Sequence, residues 1–209
     1  MSETPALDWD AAWRERRTPW ELWGPTPALE ALVASGALRD LGLPEGARAA
    51  VPGCGRGHDL RVLARQGLEV TGFDIVPEAV AEARHLLALN GDRGTVLCRD
   101  VLGLLPEYAG TFELVYDYTC FCALRPHLRP AYAKVVQGLL RPGGWLLALM
   151  FPMAETHAGR GRPPYLVTPA VAETVFTPLV LEDSAVPDVP GDPRAGAQRW
   201  YVWRKNCSP

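Results

Sequence analysis

The residues of this chain with the clearest chemical signal are three glycines and one aspartate. Gly53, Gly55 and Gly57 follow a predicted buried strand, and Asp74 ends the next predicted strand. Glycines at a tight turn let a ligand approach the backbone closely, and the helix after them offers free N–H donors. A carboxylate that ends the second strand of such a unit accepts hydrogen bonds from ribose hydroxyls. The pattern therefore indicates a pocket for a cofactor that contains a nucleoside.

The spacing of the glycines bears on which cofactor this is. Dinucleotide-binding enzymes use G-x-G-x-x-G, in which the third glycine lets the helix pack closely against the strand. Here the glycines stand at alternate positions, and His58 occupies the place of that third glycine. The spacing disfavours NAD, although an NAD-dependent oxidoreductase of the Rossmann type stays open as an alternative.

The elements that must position these residues alternate between strand and helix. Apolar runs that end at turn residues predict strands, and apolar residues at helical spacing predict the helices between them. The predicted strands cover residues 47–52, 69–74, 95–99, 112–118, 145–151, 179–186 and 198–204, and the main predicted helices cover 59–66, 77–90, 128–140 and 168–176. Short strand–helix connections imply right-handed crossovers. We expect a doubly wound α/β fold with a mostly parallel seven-stranded sheet.

A single domain accounts for the whole length. The 209 residues suit one core, since two domains of this total would each be small. We expect an N-terminal helical cap or lid over 1–45, a cofactor-binding core over 46–151, and a lid loop with closing strands over 152–209. Ligands of open α/β sheets bind beyond the carboxyl ends of the strands, so the residues just after each strand are the candidates for a site.

Motifs at these strand ends resemble a known family. They are VPGCGRGHD at 51–59, VYDYTCFCA at 115–123, Phe151-Pro152 and PPY at 163–165. G-x-G-x-G with an acid ending the second strand is similar to the class I S-adenosylmethionine-dependent methyltransferases. Together with Trp9, Trp13 and Thr18-Pro19-Trp20, the motifs look like the thiopurine S-methyltransferase superfamily, and most like its thiol and halide methyltransferases. The resemblance spans roughly residues 9–168.

The resemblance implies S-adenosylmethionine as the cofactor, with S-adenosylhomocysteine as its product. Asp74 would bind the ribose, and Asp100 with Val101 would hold the adenine. Aromatic rings attract a sulfonium cation by roughly 0.5 to 2 kcal/mol, although tryptophans four residues apart on a helix can also serve only to pack against the core. The residues implied for cofactor binding are Trp9, Trp13, Trp20, Gly53, Gly55, Asp74, Asp100, Val101 and Tyr118.

Two positions depart from the family pattern. Pro52 stands where most class I methyltransferases carry an acidic residue, although the thiol and halide group commonly shares the proline. Arg160-Gly161-Arg162 is more basic than the stretch expected before Pro-Pro-Tyr, which leaves the choice of substrate open.

The activity that the resemblance implies is methyl transfer to a small soft nucleophile by in-line displacement. The nucleophile would be a thiol, a thiopurine-like compound, a halide or a related chalcogen compound. Because a positive sulfonium and an anionic nucleophile neutralise one another, a dry pocket and accurate positioning favour the reaction, and no strong general base is obligatory. A noncatalytic protein that binds S-adenosylmethionine is a further alternative.

The candidates around the nucleophile come from the fourth strand and the predicted lid loop. Tyr118, Asp117 and His157 are the catalytic candidates. The position of Asp117 is equally suited to capping a helix or holding a neighbour, and a lone loop histidine is more often solvated than catalytic. The substrate-binding candidates are Phe121, Phe151, Arg160, Arg162 and Tyr165.

Charge and composition disfavour other classes of partner. The 21 Lys+Arg against 24 Asp+Glu give a net charge of −3, without the basic footprint that nucleic acid or anionic membrane requires. No apolar run approaches the ~20 residues that span a bilayer, and the N-terminus does not resemble a signal peptide. Five scattered cysteines and four histidines lack ligand spacing, so we expect no metal. We expect a cytoplasmic protein with a small-molecule substrate, as a monomer or weak dimer.

Overall fold

The computed structural model describes residues 7–207, in which seven strands form one sheet. The strands are β1 (Arg48–Pro52), β2 (Glu69–Asp74), β3 (Thr95–Cys98), β4 (Phe112–Tyr118), β5 (Leu140–Met150), β6 (Val180–Ala185) and β7 (Arg199–Arg204). The helices are α1 (Trp9–Arg14), α2 (Pro27–Ser35), α3 (Ala37–Asp40), α4 (His58–Ala64), α5 (Pro77–Asn90), α6 (Cys120–Ala123), α7 (Arg129–Leu139) and α8 (Pro169–Val175).

The sheet has the order β3-β2-β1-β4-β5-β7-β6. The first five strands pair in parallel, whereas β7 runs antiparallel to both β5 and β6. The strand order reverses between β1 and β4, and a crevice at such a reversal is the usual ligand site of an open α/β sheet. The predicted doubly wound, mostly parallel sheet is confirmed.

Helices cover both faces of the sheet. One apolar cluster joins the sheet to α7 and α8, and a second joins it to α2, α4 and α5. Because side chains on both faces are covered, β4 is buried along most of its length and the second half of β5 is a nearly continuous apolar run, as in other parallel sheets. This packing makes the strand ends a rigid platform for the crevice.

Local signals set several helix boundaries. The Asp8 side chain accepts a 2.9 Å hydrogen bond from the Ala11 N–H and caps α1. Thr168 accepts one from the Val171 N–H at 3.2 Å and caps α8. Gly91 ends α5 in the left-handed conformation, at φ 64°. These boundaries agree with the predicted ones within about two residues.

The start of β5 differs from the prediction. The sequence places Pro142-Gly143-Gly144 at the end of a helix and begins the strand at Trp145. In the structure, Leu140 already pairs with Phe112, and pairing resumes at Trp145 opposite Leu114. The Pro-Gly-Gly run is therefore an irregularity within the strand, because the partner strand provides hydrogen bonds on both sides of it.

The division into cap, core and closing segment stays a prediction, and residues 1–6 and 208–209 of it lie outside the described part of the chain. Between residues 7 and 207, no helix combines the length and the apolar character that crossing a membrane demands.

Candidate functional site

A cavity of about 1110 Å³ lies at the carboxyl ends of the parallel strands. Its walls come from the N-terminal cap, the glycine turn after β1, the ends of β2 and β4, the loop after β5 and the loop before β7. All nine residues predicted for cofactor binding line it: Trp9, Trp13, Trp20, Gly53, Gly55, Asp74, Asp100, Val101 and Tyr118. The structure thus brings this predicted set together at one place.

The glycine turn has the backbone that its sequence requires. Gly53, Gly55 and Gly57 all have positive φ, at 59°, 51° and 79°, a region that side chains with a Cβ rarely adopt. A Cβ on Gly53 would also lie 3.0 Å from the Cβ of Cys120. The turn can therefore keep its shape, and stay open to a ligand, only with glycine at these positions.

Asp74 ties the glycine turn to the end of β2. Its Oδ2 accepts a 2.9 Å hydrogen bond from the Gly55 N–H, 19 residues away, and its Oδ1 accepts one of 3.0 Å from Val76. Burial raises the pKa of Asp74, and the backbone N–H donors act in the opposite direction. A carboxylate offers about four acceptor positions, so two remain for hydroxyl groups of a ligand.

Asp100 and Val101 form the edge of the cavity beside β3. Asp100 is exposed and accepts a 2.9 Å hydrogen bond from the Leu102 N–H, which caps a short 3₁₀ helix. Val101, the first residue of that helix, is buried and presents an apolar surface next to the acid. This pair suits a flat ring that bears an amino group.

The cap covers the cavity with aromatic rings. Trp9 and Trp20 meet edge to face with centroids 5.2 Å apart, and Trp13 packs with Val76 and Ala79. The packing interpretation of Trp13 is therefore confirmed, and the same residue also lines the cavity.

Arg56, in the middle of the glycine turn, contacts side chains of the N-terminal cap. Its guanidinium lies 4.6 Å from the ring centroid of Trp13 and 4.7 Å from that of Trp23. It also forms ion pairs with Glu21 in the cap and Glu82 on α5. The sequence identifies Arg56 only as part of the glycine motif, and its contacts with the cap depend on the fold.

A second anchor fixes the start of α2. Asp59 on α4 accepts hydrogen bonds from the Thr26 N–H at 2.8 Å, the Thr26 hydroxyl at 2.7 Å and the Tyr116 hydroxyl at 2.9 Å. All the donors are protein groups, so Asp59 serves to hold the cap on the core.

Tyr118 meets a residue that the sequence analysis missed. Arg194, in the loop before β7, donates hydrogen bonds to the Tyr118 hydroxyl and, at 2.5 Å, to the Trp20 carbonyl oxygen. Its guanidinium lies 5.2 Å from the Tyr118 ring centroid and 4.6 Å from that of Phe151. Arg194 is only 7% exposed and lines the cavity, so it places a fixed positive charge there.

The loop that carries Arg194 is held by its own polar network. Asp192 accepts hydrogen bonds from the Arg194 N–H at 2.8 Å and from the Gln198 side chain at 2.5 Å. The fold explains the position of this loop, because β7 is antiparallel and its beginning therefore lies at the carboxyl edge of the parallel strands. The rule of inspecting residues after each strand overlooks residues that precede an antiparallel one.

Asp117 lies beneath the cavity, outside the described residues that form its walls. It is 2% exposed, accepts a 2.5 Å hydrogen bond from the Tyr132 hydroxyl, and accepts one of 3.3 Å from the Phe121 N–H at the start of α6. Burial raises the pKa of Asp117 to about 6. These contacts match the interpretation of Asp117 as a residue that holds a neighbour, and its catalytic role stays a prediction.

The predicted substrate-binding residues separate into two groups. Phe151 and Arg162 line the cavity, as does the catalytic candidate His157, whose ring meets Phe151 edge to face at 6.1 Å. Arg160 and Tyr165 lie outside the described wall, and Phe121 is buried in the core against Tyr132 and Phe176. For Phe121, the one-turn helix α6 directs the side chain into the core.

The cysteines near the cavity are not arranged for reaction. Burial raises the pKa of Cys54, Cys120 and Cys122, which keeps each thiol protonated. Over residues 7–207, no group of three or more His, Cys, Asp or Glu side chains has an arrangement that could hold a metal ion.

The site residues fit S-adenosylmethionine. The glycine turn leaves room for a ligand against the backbone, Asp74 keeps free acceptor positions for a ribose, and Asp100 with Val101 suits an adenine. Aromatic rings of the cap provide the surface that a sulfonium favours. When bound there, this cofactor supplies a methyl group on a positively charged sulfur.

Comparison with known proteins agrees with this site. The chain is 37% identical to a probable thiol methyltransferase 2 of Arabidopsis thaliana, over all of this chain and 89% of that protein. It is 35% identical to thiocyanate methyltransferase 1 of the same plant, over 94% of this chain and 84% of that protein.

A solved structure confirms the fold class. The 1,6-didemethyltoxoflavin-N1-methyltransferase of Burkholderia thailandensis, solved with S-adenosylhomocysteine, superposes with a TM-score of 0.72 at 22% identity, over 95% of this chain and 86% of that one. In addition, residues 5–205 match the thiopurine S-methyltransferase family. The chain therefore belongs to the thiopurine S-methyltransferase family of S-adenosylmethionine-dependent methyltransferases.

Proposed function

We propose that this enzyme methylates a small anionic soft nucleophile, either a thiolate or an anion of similar chemistry such as thiocyanate or iodide. The observation that carries the proposal is Arg194, a buried guanidinium fixed between the rings of Tyr118 and Phe151 at the cavity wall. Family membership favours a methyltransferase over the NAD-dependent alternative.

Arg194 has hydrogen-bonding capacity left for an anion. A guanidinium carries five N–H donors. Two of them are used on Tyr118 and Trp20, and the other three make no hydrogen bond to the described residues 7–207. A cation held in place in a poorly hydrated site attracts anions more strongly than it would in water. The same charge lowers the cost of deprotonating a bound thiol, so thiols enter the same class of substrate.

The acceptor wall next to Arg194 is apolar or neutral. Phe151 is buried, and burial also raises the pKa of Tyr118, which stays a neutral hydroxyl. The charges of an anionic nucleophile and a sulfonium cancel as the new bond forms, so a dry wall favours the reaction. The work of these residues is to hold the nucleophile in line and to exclude water.

The loop after β5 supplies the outer part of the acceptor wall. His157 and Arg162 both face the cavity from this loop. We infer that Arg162 helps to admit anions and that His157 contacts the acceptor. Because Asp117 lies beneath the cavity, we assign it the positioning of α6 through Phe121 and of α7 through Tyr132.

The test is product analysis with a methyl-labelled donor and a matched panel of nucleophiles. The anionic members are thiophenolate, hydrosulfide, thiocyanate and iodide, and the neutral members are aniline and phenol. We expect labelled methyl products from anionic members and none from neutral ones. Methylation of aniline in preference to every anion would overturn the proposal.

Binding of the cofactor without methylation of any nucleophile would point to the noncatalytic alternative. If S-adenosylhomocysteine binds but no nucleophile is methylated, the protein is the noncatalytic binding module that the sequence left open. A cytoplasmic location and a monomeric or weakly dimeric state belong to the proposal as predictions from composition and charge, and sedimentation analysis tests the second.

A further inference from the structure

Glu21 is a buried carboxylate in the cavity wall that the sequence analysis did not identify. It follows Trp20 in the connection between α1 and α2, and its side chain is 8% exposed. Its Oε1 lies 3.6 Å from the position that a Cβ on Gly55 would occupy. Glu21 therefore comes from the cap but touches the glycine turn of the core.

Glu21 differs from the other three carboxylates of the cavity wall in its partners. Asp59 accepts three hydrogen bonds, Asp74 accepts two and Asp100 accepts one, all from protein groups. Within residues 7–207, no donor makes a hydrogen bond to the Glu21 carboxylate. Because Glu21 lines the cavity, its acceptor positions are open to a donor on a ligand that occupies the cavity.

The nearest protein cation leaves that capacity unused. Arg56 Nε lies 3.5 Å from Glu21 Oε2, too far and too poorly aligned for a hydrogen bond, and this buried Nε has no hydrogen-bond partner among the described residues. Arg56 is instead held between the Trp13 and Trp23 rings and by Glu82. Its charge lowers the pKa of Glu21 against the raising effect of burial, which is the larger.

We propose that Glu21 binds the α-ammonium group of the methyl donor, so that the donor joins the N-terminal cap to the glycine turn. The inference rests on the proposed function, because it requires an S-adenosylmethionine-type ligand in this cavity. An ammonium carries three N–H donors and a positive charge, so it can donate the hydrogen bonds that Arg56, 3.5 Å from the carboxylate, does not make.

The arrangement of the cavity favours the ammonium over other groups of the donor. The nucleoside is expected next to the ends of β2 and β3, because the residues suited to bind it line the cavity there. These are Asp74, Asp100 and Val101. The amino-acid end of the donor then extends over the glycine turn, where the Glu21 carboxylate is paired with Arg56 at 3.5 Å but accepts no hydrogen bond from the described residues. Pro52, at the end of β1, brings no carboxylate to this place, and the cap provides one instead.

Two ligands isolate the contact. S-adenosylhomocysteine carries the amino-acid group, whereas 5′-methylthioadenosine has the same adenosine and thioether without it. We expect E21Q to bind S-adenosylhomocysteine at least about tenfold more weakly than the wild type, as the loss of a charged hydrogen bond implies, and 5′-methylthioadenosine within about twofold. Isothermal titration calorimetry measures all four affinities.

Glu82→Gln is the matched control. It removes the other carboxylate partner of Arg56, and Glu82 is not among the described residues of the cavity wall. We expect this variant to keep the wild-type ratio of the two affinities. Thermal unfolding of both variants checks that each one folds.

A ligand-side measurement needs no variant. In one analogue of S-adenosylhomocysteine, hydrogen replaces the α-amino group. We expect the wild type to bind this analogue at least about tenfold more weakly than S-adenosylhomocysteine. We expect E21Q to bind the two ligands with equal affinity. The non-additivity of the two changes is the signature of a direct contact.

Each result has a defined meaning. If E21Q loses the same affinity for S-adenosylhomocysteine and for 5′-methylthioadenosine, Glu21 acts only on the cap and the inference is overturned. The inference is also overturned if E21Q loses no affinity for either ligand. If the wild type binds neither ligand, the proposed function fails. If it binds both equally well, the inference alone fails.

Discussion

Arg194 donates a hydrogen bond from Nη1 to the hydroxyl of Tyr118, although 76 residues separate the two along the chain. Tyr118 ends β4, and Arg194 lies just before β7. Between β4 and β7 the sheet contains only β5, so a residue just before β7 is close enough to place its guanidinium over the end of β4. This relationship joins the closing segment of the chain to the acceptor side of the cavity.

The first prediction concerns Arg194. Arg194→Met removes the fixed charge but keeps an apolar side chain of similar length. We expect kcat/KM for thiocyanate to fall by about 10- to 150-fold, which corresponds to about 1.5 to 3 kcal/mol for hydrogen bonds to a charged group. The loss is expected mainly in KM, because the guanidinium binds the acceptor. Steady-state kinetics at a saturating donor concentration measures it.

Arg160→Met is the control for this experiment. Arg160 is an exposed arginine of the loop after β5 and lies outside the described cavity wall. We expect wild-type kinetics for it. A comparable loss of activity in both variants would attribute the effect to net charge rather than to the position of Arg194.

The second prediction concerns Asp74. In Asp74→Asn, one oxygen that accepts a backbone N–H becomes an NH₂ group, and the remaining oxygen has fewer positions for a ribose. We expect the affinity for S-adenosylhomocysteine to fall by about 1 to 3 kcal/mol. Because the ribose is common to both ligands, 5′-methylthioadenosine should lose as much, in contrast to the Glu21 variant. Unchanged calorimetric affinity would refute the role of Asp74.

The third prediction concerns Asp117 and pH. Burial raises the pKa of Asp117 to about 6 in the folded protein, from an ordinary value near 3.8. Between these values the folded state binds a proton that the unfolded chain has released. The free energy of unfolding therefore falls as pH rises from about 4 to 6, by at most about 3 kcal/mol at 1.36 kcal/mol per pKa unit.

Urea unfolding at several pH values checks this effect. Asp117→Asn lacks the titrating group, so the wild type should lose stability relative to this variant as pH rises through the window. Asp40→Asn, an exposed substitution on α3, serves as the control. Parallel pH profiles for the wild type and Asp117→Asn would contradict the prediction.

The fourth prediction concerns Gly72 in β2. An added Cβ there would lie 2.6 Å from Leu60 Cδ1 and 2.8 Å from Cys54 Sγ. We expect Gly72→Ala to lower the free energy of unfolding by about 1 to 3 kcal/mol through overpacking between β2 and the glycine turn. Gly103→Ala, where an added Cβ meets nothing within 4 Å, should change it by less than about 0.5 kcal/mol. Chemical denaturation of both variants makes the comparison, and equal effects would contradict it.

The donor side of the site was predictable because its residues follow parallel strands. Gly53, Asp74, Asp100 and Tyr118 each lie at or just after the end of one strand. Parallel strands bring those ends to the same edge of the sheet, so local patterns were enough to place the residues together. The apolar second half of β5 and the capped helices were predictable for the same reason, since they depend on neighbours in sequence.

The acceptor side of the cavity and the contacts between the cap and the glycine turn depend on segments that are distant in sequence. Arg194 precedes an antiparallel strand, Glu21 lies in an irregular connection, and Arg56 is held by tryptophans from the cap. Pairing of β4 with β5 across the Pro-Gly-Gly irregularity likewise decided where β5 begins.

The sequence by itself thus determined the fold class and the residues at the parallel strand ends, because periodicity and turn residues act over short distances, and its family resemblance indicated the cofactor. Only the tertiary structure decided that a buried arginine lines the cavity, that Asp117 contacts α6 and α7 from beneath, and that the Glu21 carboxylate accepts no hydrogen bond from the described residues. Burial and charge pairing come from packing between remote parts of the chain, and no local pattern records them.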